Sequence, residues 1–255
     1  RPMTRPALAL LAIASLGFWG CDDPPPKKNP FEPPPKQTVE PPKDAAPPKP
    51  TGPPELAIDD LGPKVGFSRV LLDKPEGRDK LKDELNQVKD HFAGKEATLS
   101  IIRKAKLAWV MVMMNELGKI GASKVIIKTE TRKEFPGELA FTPEAKAPTP
   151  EPCAVVGMIL EDRSAAIWKF AGGTAIKKAK GLAGPDLSTT GETIERFGKG
   201  CKGSNMFFVS AGETVEWGLA YDLAASTRSL SDVKFDNLVL LEKTPTAGRK
   251  VELTK

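Results

Sequence analysis

The chain has 255 residues, of which 40% are hydrophobic and 6% aromatic, with one Tyr, one His, three Cys and a formal net charge of +5. The apolar share excludes a chain disordered throughout, and a lone histidine, His91, argues against His-based catalysis or a His-rich metal site. The 38 basic and 33 acidic residues are interleaved, so no nucleic-acid footprint is expected. The longest basic cluster, Lys177-Lys178-Ala179-Lys180, reads as a solvated strand end or loop.

Residues 1–21 read as an address. Arg5 is followed by an uncharged run over residues 7–20. Fourteen residues at about 1.5 Å each span about 21 Å, short of the hydrocarbon core of a bilayer. A basic start, a short apolar run and Gly20-Cys21 resemble a bacterial lipoprotein signal, in which the cysteine becomes lipidated. Phe18 and Trp19 are bulkier than that pattern usually carries, and an uncleaved short anchor or ordinary cleavage are the alternatives. Arg1 and Pro2 precede the first Met, so the expected start is Met3 or lies upstream.

Residues 22–55 read as a spacer. Between Asp22 and Pro54 there are 14 prolines, with Lys, Asp and Glu among them in near balance. Proline without Gly-X-Y periodicity favours an extended chain of about 3.1 Å per residue, a reach of roughly 100 Å.

Beyond the spacer one pattern occurs twice. Residues 78–92 carry a helical stripe of Leu81, Leu85 and Val88. Residues 98–102 read as a strand and 106–118 as a helix with Leu107, Val110, Met111, Met114 and Leu117 on one face. Gly121 stops that helix and residues 124–128 form a second strand. In the second copy, residues 153–160 and 165–170 form a hairpin. A helix over 187–198 capped by Asp186 or Ser188 follows, then a strand 206–210, a helix 214–226 and a strand 237–241. An offset of 108 aligns Trp109 with Trp217 and Met113 with Tyr221, and the last strands need an offset of 113. The expected fold is α+β, with two tandem small domains of ββαβαβ type. Each has a sheet of mixed strands and two helices on one face, with its strand–helix–strand pair parallel. The expected boundaries are 56–132 and 153–245. A proline-containing linker, 133–152, lies outside both, and 246–255 is a tail.

This order resembles the periplasmic domain of the ExbD/TolR family, the small subunits of proton-driven envelope motors. The resemblance rests on TLSIIRKAKLAWVMVMMNELGKIGASKVIIKTE and MFFVSAGETVEWGLAYDLA, which share element order and hydrophobic pattern but no catalytic signature. Family members are anchored by a transmembrane helix bearing an essential Asp. Residues 7–20 contain none, so the chain is not expected to conduct protons. The resemblance implies a lipid-anchored adaptor on the periplasmic side of the cell envelope. Its partner would be an envelope protein, peptidoglycan or a second copy of the chain, with no cofactor. A secreted enzyme acting on cell-wall material through Glu161 and Asp162, or Glu213 and Glu216, is the runner-up, and a generic surface lipoprotein the third reading.

Cys153 and Cys201 lie 48 residues apart in an exported chain, where a disulfide is the favoured reading and two separate buried thiols the alternative. No metal site is expected. Trp109, Val112 and Met113 form a second apolar stripe, with Trp217 and Tyr221 in the matching places of the second copy. Either it faces a core, or it is a docking surface for the sister copy or another chain.

Overall fold

A computed structural model describes residues 52–181 and 184–254. The address and most of the spacer, Cys21 included, lie outside the described residues. The first half runs β1 (Leu56–Asp59), β2 (Gly62–Val65), β3 (Ser68–Arg69), α1 (Gly77–Gln87), β4 (Glu96–Ile101), α2 (Leu107–Lys119) and β5 (Lys124–Lys128). After β6 (Glu138–Pro143), the second half repeats the order. It runs β7 (Val155–Ile159), β8 (Ala165–Lys169), β9 (Ile176–Lys178), α3 (Leu187–Lys199), β10 (Met206–Ala211), α4 (Trp217–Ser226) and β11 (Asn237–Leu240).

Eleven strands make one mixed sheet, in the order β3-β2-β1-β4-β5-β6-β11-β10-β7-β8-β9. Outward from β6 the two directions run alike, β5-β4-β1-β2-β3 on one side and β11-β10-β7-β8-β9 on the other. As expected, β4 and β5 are parallel, and so are β10 and β11. Glu96 pairs with Lys124, and Met206 with Asn237. The halves therefore correspond at an offset of 110 through the strand–helix segment and 113 at the last strand. The 108 register expected from the matched tryptophans is two residues off. Leu107, not Trp109, is the counterpart of Trp217, because each opens its helix. Asp186 caps α3 as expected, accepting from the amides of Ser188 and Thr189.

The division into two domains with an outlying linker does not hold. Residues 138–143 of the expected linker are β6, antiparallel to β5 and parallel to β11, at the centre of the sheet. Side chains from all four helices join one hydrophobic cluster that runs through both halves. The physical reason lies in α2 and α4. Trp109, Val110, Met111, Met113, Met114 and Leu117 of α2 are all buried, as are Trp217, Ala220, Tyr221, Leu223, Ala224 and Ala225 of α4. Helices apolar on this much of their circumference need more cover than one small sheet supplies.

A second cluster lies on the opposite face of the second half, where Met158, Trp168, Phe170, Phe208, Val239 and Leu241 pack with Val251. The expected tail is thus part of the structure. Val251 N donates to Phe170 O, and Trp168 Nε1 to Arg249 O at 2.9 Å. Buried Glu144 holds the segment's two ends, accepting from Glu242 N at 2.6 Å and from Thr254 N.

Two outcomes are expected. Phe207 is fully buried in the shared core, so Phe207→Ala should cost about 3–5 kcal/mol. Unfolding followed by tryptophan fluorescence and by circular dichroism should stay one coincident transition, and two separated transitions would contradict a common core. Burial outweighs the two amide donors and raises the Glu144 carboxyl above its ordinary value. The folded chain then binds that proton more tightly than the unfolded one, so this contribution to stability is lost as pH rises through the folded pKa. Relative to Glu144→Gln, the parent should lose stability between pH 4 and pH 7, measured by urea unfolding, and a parent that instead gains stability relative to the variant as pH rises would refute the assignment.

Candidate functional site

The halves meet where the loops that open α2 and α4 pair antiparallel, with Lys106 opposite Glu216. Leu107 N donates to Val215 O at 3.4 Å, and Trp217 N to Ala105 O at 2.9 Å. These residues are one another's counterparts at the offset of 110, so the two bonds exchange under an approximate two-fold axis through the seam.

On one side of that axis the seam is filled by a buried ion cluster. Asp222 on α4 is only 1% exposed. Arg103, from the loop after β4, binds it through both nitrogens, at 2.9 and 2.7 Å, and Arg132 Nε lies 3.3 Å from the same carboxylate. Arg103 also donates to the carbonyls of Glu130 and Gly218. Gly218 leaves room for this, since a Cβ there would lie 3.0 Å from the Arg103 side chain. The carboxylate raises the Arg103 pKa and fixes its charge. Beside the cluster, Trp217 Nε1 donates to Thr129 Oγ1 at 2.9 Å, which donates in turn to Ile101 O, and the Tyr221 hydroxyl donates to Pro136 O.

On the other side the seam is open. A groove of about 860 Å³ runs between α2 and the segment after β11, lined by Ala108, Met111, Val112, Glu213, Glu242 and Lys243 among others. It lies at the carboxyl ends of the parallel strands β10 and β11, where α/β sheets commonly place ligands. Arg78 crosses its rim, 2.8 Å from Glu242 Oε1 and 3.3 Å from the buried Glu116. Lys106 binds Asp73 at 2.7 Å and stacks over the Trp109 ring. Asp73 also accepts from Trp109 Nε1, and these donors hold its carboxyl below the ordinary range.

Of the residues singled out in the sequence, Cys153 and Cys201 form a disulfide with Cα atoms 5.4 Å apart, tying β7 to the end of α3. Trp109, Met113, Trp217 and Tyr221 are buried and offer no free docking surface. The sister-copy alternative describes Trp217, which packs on Phe141 and donates to Thr129 of the first half, while the Tyr221 hydroxyl donates to Pro136 O. Glu161 accepts from the Thr214 amide and hydroxyl, and Asp162 from Ser164. Glu213 and Glu216 are exposed on the loop that opens α4. No group of three or more metal-ligating side chains occurs among the described residues, and none of their helices is long and apolar enough to cross a membrane. Sequence reasoning missed Arg103, Asp222 and Glu242. The available signal was a carboxylate, Asp222, inside the apolar run WGLAYDLAA.

No family model, curated protein or solved structure matches the chain.

Removing one member of the ion cluster should be costly. Asp222→Ala leaves Arg103 facing an apolar seam and should destabilise the chain by about 3–5 kcal/mol, whereas Arg103→Met combined with Asp222→Leu should recover most of that loss. Urea unfolding of the three proteins checks this. A double variant as unstable as Asp222→Ala would show that the pair's value is not charge compensation.

Proposed function

We propose that the chain is a lipid-anchored adaptor of the cell envelope, facing the periplasm. The Cys21 signal would address it to a membrane, the proline-rich residues 22–54 would hold it away from the lipid surface, and the fused unit would bind a partner. That partner is a component of a proton-driven transport or envelope-stability complex, or the cell wall. The observation that carries a binding role is the open groove on one side of the seam, built from side chains of both halves. The element order within each half supports a kinship with ExbD/TolR-type periplasmic domains. The fused core departs from that pattern, since two domain-sized halves here act as one unit. The proposed role involves no proton conduction.

The anchor and the partner are tested separately. Cys21→Ser should move the full chain from the membrane fraction to the soluble fraction, because a 14-residue apolar run is too short to span. Retention in the membrane fraction, with no acyl mass on Cys21 in the parent, would refute the anchor. Crosslinking in cells through a photoreactive residue at Thr214, on the groove wall, should trap a discrete envelope protein or a cell-wall fragment. Crosslinks only to abundant bystanders would refute the adaptor.

A further inference from the structure

The approximate two-fold axis gives the groove an internal reference, because each of its walls has a counterpart on the filled side of the seam. The offset of 110 takes Arg103 to Glu213, Ala108 to Gly218 and Val112 to Asp222. The offset of 113 takes Glu130 to Lys243 and Thr129 to Glu242. The groove is therefore the place that, on the other side, the Arg103 side chain occupies. There a guanidinium donates to the Glu130 and Gly218 carbonyls and to the Asp222 carboxylate. Here the chain supplies an acid, Glu213, in place of that arginine.

A second observation points the same way. The Glu242 side chain is nine-tenths buried on the groove wall. Its Oε1 accepts from Arg78, but its Oε2 is buried with no hydrogen-bond partner among the described residues. Its counterpart Thr129 is satisfied by the indole of Trp217. The counterpart of Trp217 is Leu107, which has no side-chain donor, so the acceptor is left over. A buried, unpaired carboxylate oxygen is costly unless a donor reaches it. The nearest cations do not serve. Arg78 is held by Glu242 Oε1 and Glu116, Lys106 is held by Asp73, and the Lys243 side chain is exposed.

We infer that this groove binds an arginine side chain presented by a partner polypeptide. Its guanidinium lies between Glu213 and Glu242 Oε2, and its aliphatic stem lies on Ala108, Met111 and Val112. A planar guanidinium suits the site because its several donors can serve two carboxylates and a backbone carbonyl together. The inference deepens the adaptor reading by naming where the partner docks and by what chemistry.

The test uses the full chain and an acetylated, amidated peptide Ala-Leu-Ala-Arg-Ala-Leu-Ala, with the same peptide carrying citrulline as control. Calorimetric titration should show saturable binding of the arginine peptide, with the citrulline peptide about tenfold weaker or more, since charge-assisted hydrogen bonds are lost. Glu213→Gln should weaken the arginine peptide alone. Combining Glu213→Arg with Val112→Asp places the Arg103–Asp222 pair's chemistry in the groove, and should abolish binding while the melting temperature is retained. If that variant does not fold, Glu213→Gln decides. Absence of binding, equal binding of the two peptides, or no effect of Glu213→Gln overturns the inference. A partner trapped in cells by the parent and equally by Glu213→Gln would leave the adaptor reading standing and remove only this site.

Discussion

The architecture depends on covering two helices that are apolar around most of their circumference. On α2 the buried apolar residues fall at positions 107, 109–111, 113–114 and 117, and α4 is buried almost throughout. A small sheet covers one stripe of a helix, not its flanks. The flanks are covered by the other half, through the paired loops at Lys106 and Glu216 and through Trp217 packed on Phe141. The centre of the sheet follows from this. Once the halves share a core, the chain between them is drawn into the gap between β5 and β11, where β6 pairs with both.

Sharing a core fixes the backbone symmetry but leaves the side chains free to diverge at matched positions. Arg103 and Asp222 meet on one side of the axis, Glu213 and Val112 on the other. The filled side acts as a lock. Asp222 is buried at the seam, so Arg103 and Arg132 are needed to compensate it, and both come from the first half. A buried ion pair adds little net stability against an apolar substitute but penalises arrangements that separate its members. It therefore sets how α4 sits against the first half. The open side carries no such penalty, and its acids remain available.

Local elements were legible because hydrophobic period and stop signals agree. β5 and the start of β10 fall where the short apolar runs put them, and Gly121 takes a positive φ where it was expected to stop a helix. β6 was not legible. Pro136 before it and its own last residue, Pro143, read as linker, and its partner β11 lies about a hundred residues away, so nothing local marks it as a central strand. The same limit hid the ion cluster, whose members Arg103 and Asp222 are 119 residues apart. The all-round apolar character of α2 was visible and did signal that something must cover it. It did not say that the cover was the sister half rather than another molecule. The cysteine pair was legible because the exported location expected from residues 1–21 narrows what two cysteines in one half do.

The outward face of the sheet shows the same divergence. In the second half Met158, Phe208, Val239 and Leu241 point away from the helices and are covered by the segment that follows β11. Their counterparts in the first half are Ala57, Thr98, Ile126 and Lys128, of which Thr98 and Lys128 are exposed. One set of strands is thus written for burial on both faces and the other for burial on one. The covering segment begins at Glu242, whose amide is held by Glu144 and whose side chain walls the groove. The strap and the groove therefore share a residue. Burying the back of the second half fixes where the chain leaves β11, and that exit places the unpaired Glu242 oxygen on the open side of the seam. The asymmetry that makes one side of a nearly symmetric molecule suited to binding follows from an asymmetry of cover, set by which outward positions are apolar.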